Sequence, residues 1–234
     1  MINKKLLQER FKKGLKTYNE NSTVQNKMAD KLVQMIDIAP EDILEIGCGT
    51  GVLTNKIVEL IGFKNYHATD IVLECKNYIE NISKKIYFFQ SDVENYVFDK
   101  KYDLIISNAT FQWIDNLPEF ISKLKHQLKP NGVLIFSTFG EQNFKEINLV
   151  TNKGLDYYSI EELKSIIQPS YIEEEILELS FKSPKEVLKH IKNTGVNSIN
   201  SDSWTKSDLI NFEKKYQEIS PDIKLTYHAI YIKQ

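Results

Sequence analysis

The 234-residue sequence predicts an α/β protein whose mainly parallel sheet is covered by helices on both faces. Three observations carry that prediction. Short apolar runs recur as far as Phe139, stretches with helical periodicity separate them, and the first run ends in a glycine loop, "ILEIGCGTGVLT", from Ile43 to Thr54. Parallel neighbours need a crossover, which is usually a helix and almost always right-handed.

Through residue 36 the pattern is helical, with a break near "YNENST". "DILEI" follows as a short strand running into the glycine loop, and residues 52–61 continue as a helix. "NYHATD", "KIYFFQSD" and "YDLIISN" are three further apolar runs, each ending in a polar residue. Helical material follows the first of them and separates the last from "GVLIFSTF"; that second helix starts near Leu117, and Pro130, Asn131 and Gly132 supply the turn before the strand. Farther on, Ser159 and Glu162 form a capping-box pattern in "YYSIEELKSII". "SPKEVLKHIKNTG" has Ser183 as N-cap, Pro184 at the first helical position and Gly195 as terminator. "WTKSDLINFEKKYQEI" predicts another helix, whereas "IEEEILELSF" and "KLTYHAIYIK" alternate like strands. With no repeat and no Pro/Gly/Ser-rich linker, the expectation is one domain over 1–234, with an N-terminal helical lid over about 1–36 and a helical insertion over about 184–218.

Composition narrows the function classes. No stretch approaches the roughly 18 apolar residues of a membrane span, and the N-terminus has no apolar signal core, so a cytoplasmic protein with no membrane association is expected. Cys48 and Cys75 are too few for a disulfide framework, and four scattered histidines show no zinc-site spacing, so no metal is suggested. A formal charge of −2 gives no reason to expect nucleic acid, although residues 1–16 hold six basic side chains against Glu9 alone.

Gly47, Gly49 and Gly51 let a backbone turn sharply and approach a ligand closely. The spacing excludes two common ligands: Val52 stands where a dinucleotide fingerprint needs its third glycine, and no Lys-Ser or Lys-Thr follows Gly51 as a phosphate loop requires. In open parallel sheets ligands sit outside the carboxyl ends of the strands, which is where Gly47, Asp70, Asp92 and Asn108 fall. Carboxylates only accept hydrogen bonds, which suits ribose hydroxyls and an exocyclic amine. Their other reading is that Asp70 and Asp92 simply start turns and cap helices.

Glu45 to Gly51, with Asp70 and Asp92, resembles the binding pattern of class I S-adenosyl-L-methionine-dependent methyltransferases. That resemblance implies a Rossmann-like, mainly parallel seven-stranded sheet. It also implies a cofactor site of Glu45, Gly47, Cys48, Gly49, Gly51, Asp70, Ile71, Asp92, Val93, Asn108 and Ala109, with Asp70 on the ribose and Asp92 on the adenine. S-adenosyl-L-homocysteine would be the product. "SNATFQW" departs from the Asn-Pro-Pro-aromatic sequence of enzymes that methylate base amino groups, which disfavours a nucleic-acid substrate. Gln112 and Trp113 are candidates for an acceptor wall, or for core.

"FKKGLKTY", "VQNKMADKL", "SPKEVLKHIKNTGVN" and "LTYHAIYIK" add a closer resemblance, over about residues 6–232, to the malonyl-acyl-carrier-protein O-methyltransferases of biotin synthesis. The family methylates the free carboxylate of a malonyl thioester, which implies an acyl-carrier protein as partner, and a monomer is expected. Two departures stand out: the segment between Phe139 and Tyr157 is short, and Lys189 stands where many relatives have arginine. A carboxylate at neutral pH is already deprotonated, so catalysis needs positioning and exclusion of water rather than a base. Burying it calls for a cation, and Lys189, His190 and Lys192 are the candidates, against the reading of a solvated helix face. Tyr18 matches a family tyrosine near the cofactor, and His228 reads as a structural histidine. For an acidic carrier, the N-terminal lysines and Lys182, Lys185 and Lys189 are docking candidates. Two alternatives stay open: a methyltransferase for a free small acid or a quinone precursor, and a non-catalytic protein that binds the cofactor.

Overall fold

The computed structural model describes residues 2–195 and 204–234; Val196 and Asn197 of the "LKHIKNTGVN" resemblance, and the middle of the expected 184–218 insertion, lie outside the described residues. Strands β1 (Asp42–Ile46), β2 (Asn65–Asp70), β3 (Ile86–Gln90), β4 (Tyr102–Ser107), β5 (Leu128–Phe139), β6 (Tyr171–Ser180) and β7 (Lys224–Lys233) form one sheet. Its order is β3-β2-β1-β4-β5-β7-β6. β1 to β5 are parallel, and β7 enters antiparallel between β5 and β6.

Alternation along the strands sends side chains to opposite faces and divides the core in two. Ile43, Leu104, Ile106 and Ile135 join one cluster; their neighbours Leu44, Ile105, Leu134 and Phe136 join the other. The first face is covered by helices α1 (Lys4–Asn21), α2 (Thr23–Gln34), α3 (Val52–Leu60) and α4 (Cys75–Ile82), through Leu7, Met28, Ile57 and Ile79. The second is covered by α5 (Leu117–His126) and α7 (Ile160–Ile167), through Phe120, Ile121, Leu163 and Ile167. With both faces covered, the central parallel strands β1 and β4 are buried almost throughout. The edge strand β6 is instead mostly exposed and carries Glu173, Glu174 and Glu175, charges that discourage pairing with another chain.

Local signals place the helix ends. Ser22 separates α1 from α2, and Ser159 and Glu162 form the reciprocal cap of α7. Helix α8 (Pro184–Asn193) starts on Ser183 and ends at Gly195, whose φ of 76° suits a residue without Cβ. Helix α9 (Lys206–Ile219) begins with a second reciprocal cap, Thr205 with Asp208.

Two details differ from the sequence reading. The turn residues 130–132 lie inside β5 rather than before it: Tyr102 pairs with Leu128 but Leu104 pairs with Val133, so the strand bulges between them. Asn131 is left-handed there, at φ 65°. Helix α6 (Lys145–Thr151) is an element the sequence did not announce, since seven residues are too short to show a period. It is anchored from the side, with buried Glu146 accepting bonds from Thr226 N at 3.0 Å and Thr226 Oγ1 at 2.6 Å.

Candidate active site

Strand order reverses direction between β1 and β4, and a cleft opens there beyond the carboxyl ends of the strands. Its volume is about 890 Å³, counting the part open to solvent. The floor consists of Gly47, Gly49 and Thr50 after β1, Asp70 to Val72 after β2, Ser91 to Val93 after β3, and Asn108 to Thr110 after β4. Helix α1 forms the roof: Lys4, Leu7, Phe11, Gly14, Leu15 and Tyr18 recur at helical spacing and all line the cleft. Phe11 meets Trp113 edge-on at 5.6 Å, and Gln8 Nε2 donates to the Ile71 carbonyl at 2.8 Å, so the roof is tied to two strand tips.

The glycine loop is held in a shape few other residues allow. Gly47, Gly49 and Gly51 have φ of 72°, 53° and 82°. A Cβ on Gly47 would overlap the Thr110 side chain, whereas one on Gly49 would meet nothing within 4 Å. The loop therefore packs tightly against Thr110 in the segment after β4 and leaves open room beside Gly49. Asp70 fastens it by accepting from Gly49 N, and steadies its own turn by accepting from Val72 N, each at 2.9 Å. Burial raises the Asp70 pKa and those N–H bonds oppose the rise. A carboxylate has about four acceptor positions, so Asp70 keeps capacity for a diol. Asp92 accepts from Glu94 N at 3.3 Å and Asn95 Nδ2 at 2.9 Å and also faces the cleft. For both aspartates the turn-starting role and the cleft-facing position coexist.

Other residues singled out from the sequence separate into three groups. Ile71, Val93, Asn108, Ala109 and Trp113 line the cleft. Asn108 is braced by its bond to the Gln25 carbonyl at 2.9 Å and by Ser137 Oγ at 2.7 Å, and Ala109, with φ 50°, donates to Ser137. Glu45, Cys48 and Gly51 support the loop from outside the lining. Glu45 is buried and accepts from Thr54 Oγ1 at 2.6 Å and Tyr66 OH at 2.5 Å; burial, only partly offset by these bonds, pushes its pKa up to about 7. Gln112 is tied back to the Ala109 carbonyl at 2.7 Å and does not reach the cleft.

The structure does not bring the three α8 candidates to the cleft. Lys189 and Lys192 are exposed, outside its lining. His190 is buried in the core, its Nε2 2.7 Å from Tyr227 OH, and burial lowers its pKa. The face that α8 turns inward is fixed by α1, where Gly14 lies against Gly195 and Thr17 Oγ1 donates to the Asn193 carbonyl at 3.2 Å. Thr194 is the α8-end residue that lines the cleft. His228 is structural in its contacts, with Glu174 at 2.8 Å and Gln142 N at 3.3 Å.

Tyr18 does reach the cleft, and its hydroxyl makes no hydrogen bond among the described residues. Burial, followed by the charge of Asp70, raises its pKa, which keeps it a proton donor. Sequence reasoning missed Lys4, Leu7, Phe11, Thr110 and Cys75 as lining residues. The helical spacing of the first three with Tyr18 was the available signal; Thr110 and Cys75 carry none.

Comparisons with known proteins agree with this geometry. A family profile described as "Methyltransferase domain" matches residues 21–175. Malonyl-[acyl-carrier protein] O-methyltransferase of Calditerrivibrio nitroreducens is 38% identical over 94% of this chain and 92% of its own length. The Bacteroides thetaiotaomicron protein of the same name is 35% identical over 99% of this chain and 97% of its own. Among solved structures, the YcgJ protein from Bacillus subtilis superposes with a TM-score of 0.61 at 12% identity, covering 88% of this chain and 97% of that one, a likeness of fold alone.

Proposed function

The chain belongs to the malonyl-[acyl-carrier protein] O-methyltransferase family, and we propose that it transfers a methyl group from S-adenosyl-L-methionine to the free carboxylate of a malonyl thioester carried by an acyl-carrier protein. The observation that carries this reading is the cleft: a glycine cradle and two carboxylates at neighbouring strand tips, roofed by the inward face of the amphipathic helix α1. Gly47 and Gly49 hold the methionine and ribose parts closely, Asp70 accepts from the ribose hydroxyls, and Asp92 accepts from the adenine amino group. Ile71 and Val93, which line the cleft, would flank the nucleoside, Asn108 and Ala109 would border the reacting end, and Leu7, Phe11 and Trp113 would exclude water.

When bound, the cofactor supplies the methyl group: its bond to sulfur breaks as the carboxylate oxygen bonds to the methyl carbon, the electron pair goes to sulfur, and no proton moves. Tyr18 holds the acceptor oxygen in line by its free hydroxyl, a contribution of proximity and orientation rather than of acid or base. The whole chain is one domain, with α1–α2 and α8–α9 as its cover. Lys5, Lys13 and Lys16 on α1 and Lys182, Lys185, Lys189 and Lys192 around α8 are exposed and form the docking surface for the acidic carrier. Lys4 and Lys12 are instead committed to Glu94 and Glu74. The reaction belongs to the early pimeloyl steps of biotin synthesis, carried out by a monomer in the cytoplasm.

Incubation with methyl-labelled cofactor tests the reading. Label appearing as a methyl ester on malonyl-carrier protein is the expected result. Label on a free dicarboxylic acid alone, or on no acceptor, contradicts it.

A further inference from the structure

We infer that the acceptor end of the cleft is built without a cation of its own, so that the acceptor's carboxylate binds only after a positively charged cofactor has entered; this rests on the carboxyl-methyltransferase reading. Among the described residues, Lys4 is the one lysine, arginine or histidine that lines the cleft. Its ammonium is committed to the Glu94 carboxylate and to the Trp113 carbonyl, the latter at 2.9 Å, on the side of Asp92. Residues 196–203, which are not described, read "VNSINSDS" and contain no basic side chain. Lys189 and Lys192 are exposed outside the lining, and His190 is buried against Tyr227.

The cleft itself carries Asp70 and Asp92, and the charge of Asp70 is felt at the Tyr18 hydroxyl. A carboxylate entering the cofactor-free cleft meets like charge and only neutral donors, Tyr18 among them. Burying an unpaired carboxylate among carboxylates is strongly unfavourable. A sulfonium at the reacting position is the missing partner, and in a site from which water is excluded its attraction for the carboxylate is large. The same arrangement assists departure: once the methyl group has moved, neither the ester nor the thioether is charged at the reacting atoms, and the attraction is gone. Binding is therefore ordered, with the acceptor second, and the cofactor's charge is part of the acceptor's site.

Titration calorimetry with malonyl-pantetheine, a malonyl thioester without the carrier protein, tests this on the intact chain. The protein is loaded either with S-adenosyl-L-homocysteine, whose sulfur is neutral, or with sinefungin, which carries an ammonium group where the sulfonium methyl stands. Malonyl-pantetheine is expected to bind the sinefungin-loaded protein at least about thirtyfold more tightly than either the S-adenosyl-L-homocysteine-loaded or the cofactor-free protein. Its methyl ester, lacking the charge, is expected to show no such preference. Equal affinity of malonyl-pantetheine for all three forms overturns the inference while leaving the carboxyl-methyltransferase reading intact. Binding to none of them, with no label transferred to malonyl-carrier protein, removes that reading and the inference with it.

Discussion

The two ends of the cleft are built by different means. The cofactor end is made of backbone and strand tips: Gly47 and Gly49 stand at the end of β1, and Asp70 closes β2 while holding the loop through the Gly49 N–H at 2.9 Å. The end proposed for the acceptor is made of side chains delivered by elements far apart in sequence, with Tyr18 and Phe11 from α1, Trp113 after β4 and Thr194 at the end of α8 all lining the cleft. The first is rigid because a turn and a parallel sheet fix it. The second depends on how helices happen to pack, and its chemistry can change without disturbing the fold.

A substitution at the first end should therefore damage structure and binding together. Gly47→Ala places a methyl group on Thr110 and strains a residue at φ 72°. The expected loss is about 2–4 kcal/mol of stability, a fall in melting temperature of roughly 5–12 °C, along with loss of S-adenosyl-L-homocysteine binding. An unchanged melting temperature would show that the loop is less constrained than its packing requires.

At the second end the two effects should separate. Tyr18→Phe removes a hydroxyl with no partner among the described residues, so the melting temperature should stay within about 2 °C of wild type and affinity for S-adenosyl-L-homocysteine within about twofold. Turnover of malonyl-carrier protein, measured as kcat/KM, should fall roughly tenfold, as expected for one hydrogen bond to a charged group. An equal fall in cofactor affinity would move Tyr18 to the cofactor end.

A smaller and subtler contrast lies in pH dependence. Glu45 supports the glycine loop and is raised by burial from 4.5 to about 7; in that interval the folded state binds more protons, so the stability Glu45 contributes at low pH is lost as pH rises through about 7. His190, behind the acceptor end, is lowered by burial from 6.5; the unfolded state takes up the proton first, so its contribution is present above that value and lost as pH falls below it. The two slopes oppose each other in mildly acidic solution. Relative to wild type, Glu45→Gln should gain stability from pH 5 to pH 8, and His190→Gln should lose it over the same range, as followed by melting temperature. Parallel curves for both variants would contradict these assignments.

How much of this was legible follows the same division. The strands, the glycine loop and the carboxylates after β2 and β3 depend on local pattern, and the sequence displays them directly. Seven strands agree with the resemblance, and the β5 bulge escaped because its cause is the way Tyr102 and Leu104 pair across to Leu128 and Val133. The spacing of Lys189 and Lys192 correctly put both on one face of α8 but could not say which face. That was decided by contacts across some 180 residues of sequence, where Gly14 meets Gly195 and Thr17 meets Asn193. His190 lies in the family-like "LKHIKNTGVN" piece and is one of three candidates there for meeting the acceptor's carboxylate, against a solvated helix face; in the structure it is buried and its partner is Tyr227.

The central claim is that a sulfonium nucleoside lies across the tips of β1, β2 and β3, and a crystal structure of the chain with S-adenosyl-L-homocysteine tests it most directly. The account predicts both ribose hydroxyls within hydrogen-bonding distance of Asp70 and the adenine amino group at Asp92. A nucleoside seated elsewhere, or crystals grown with excess compound that take up none, would contradict it.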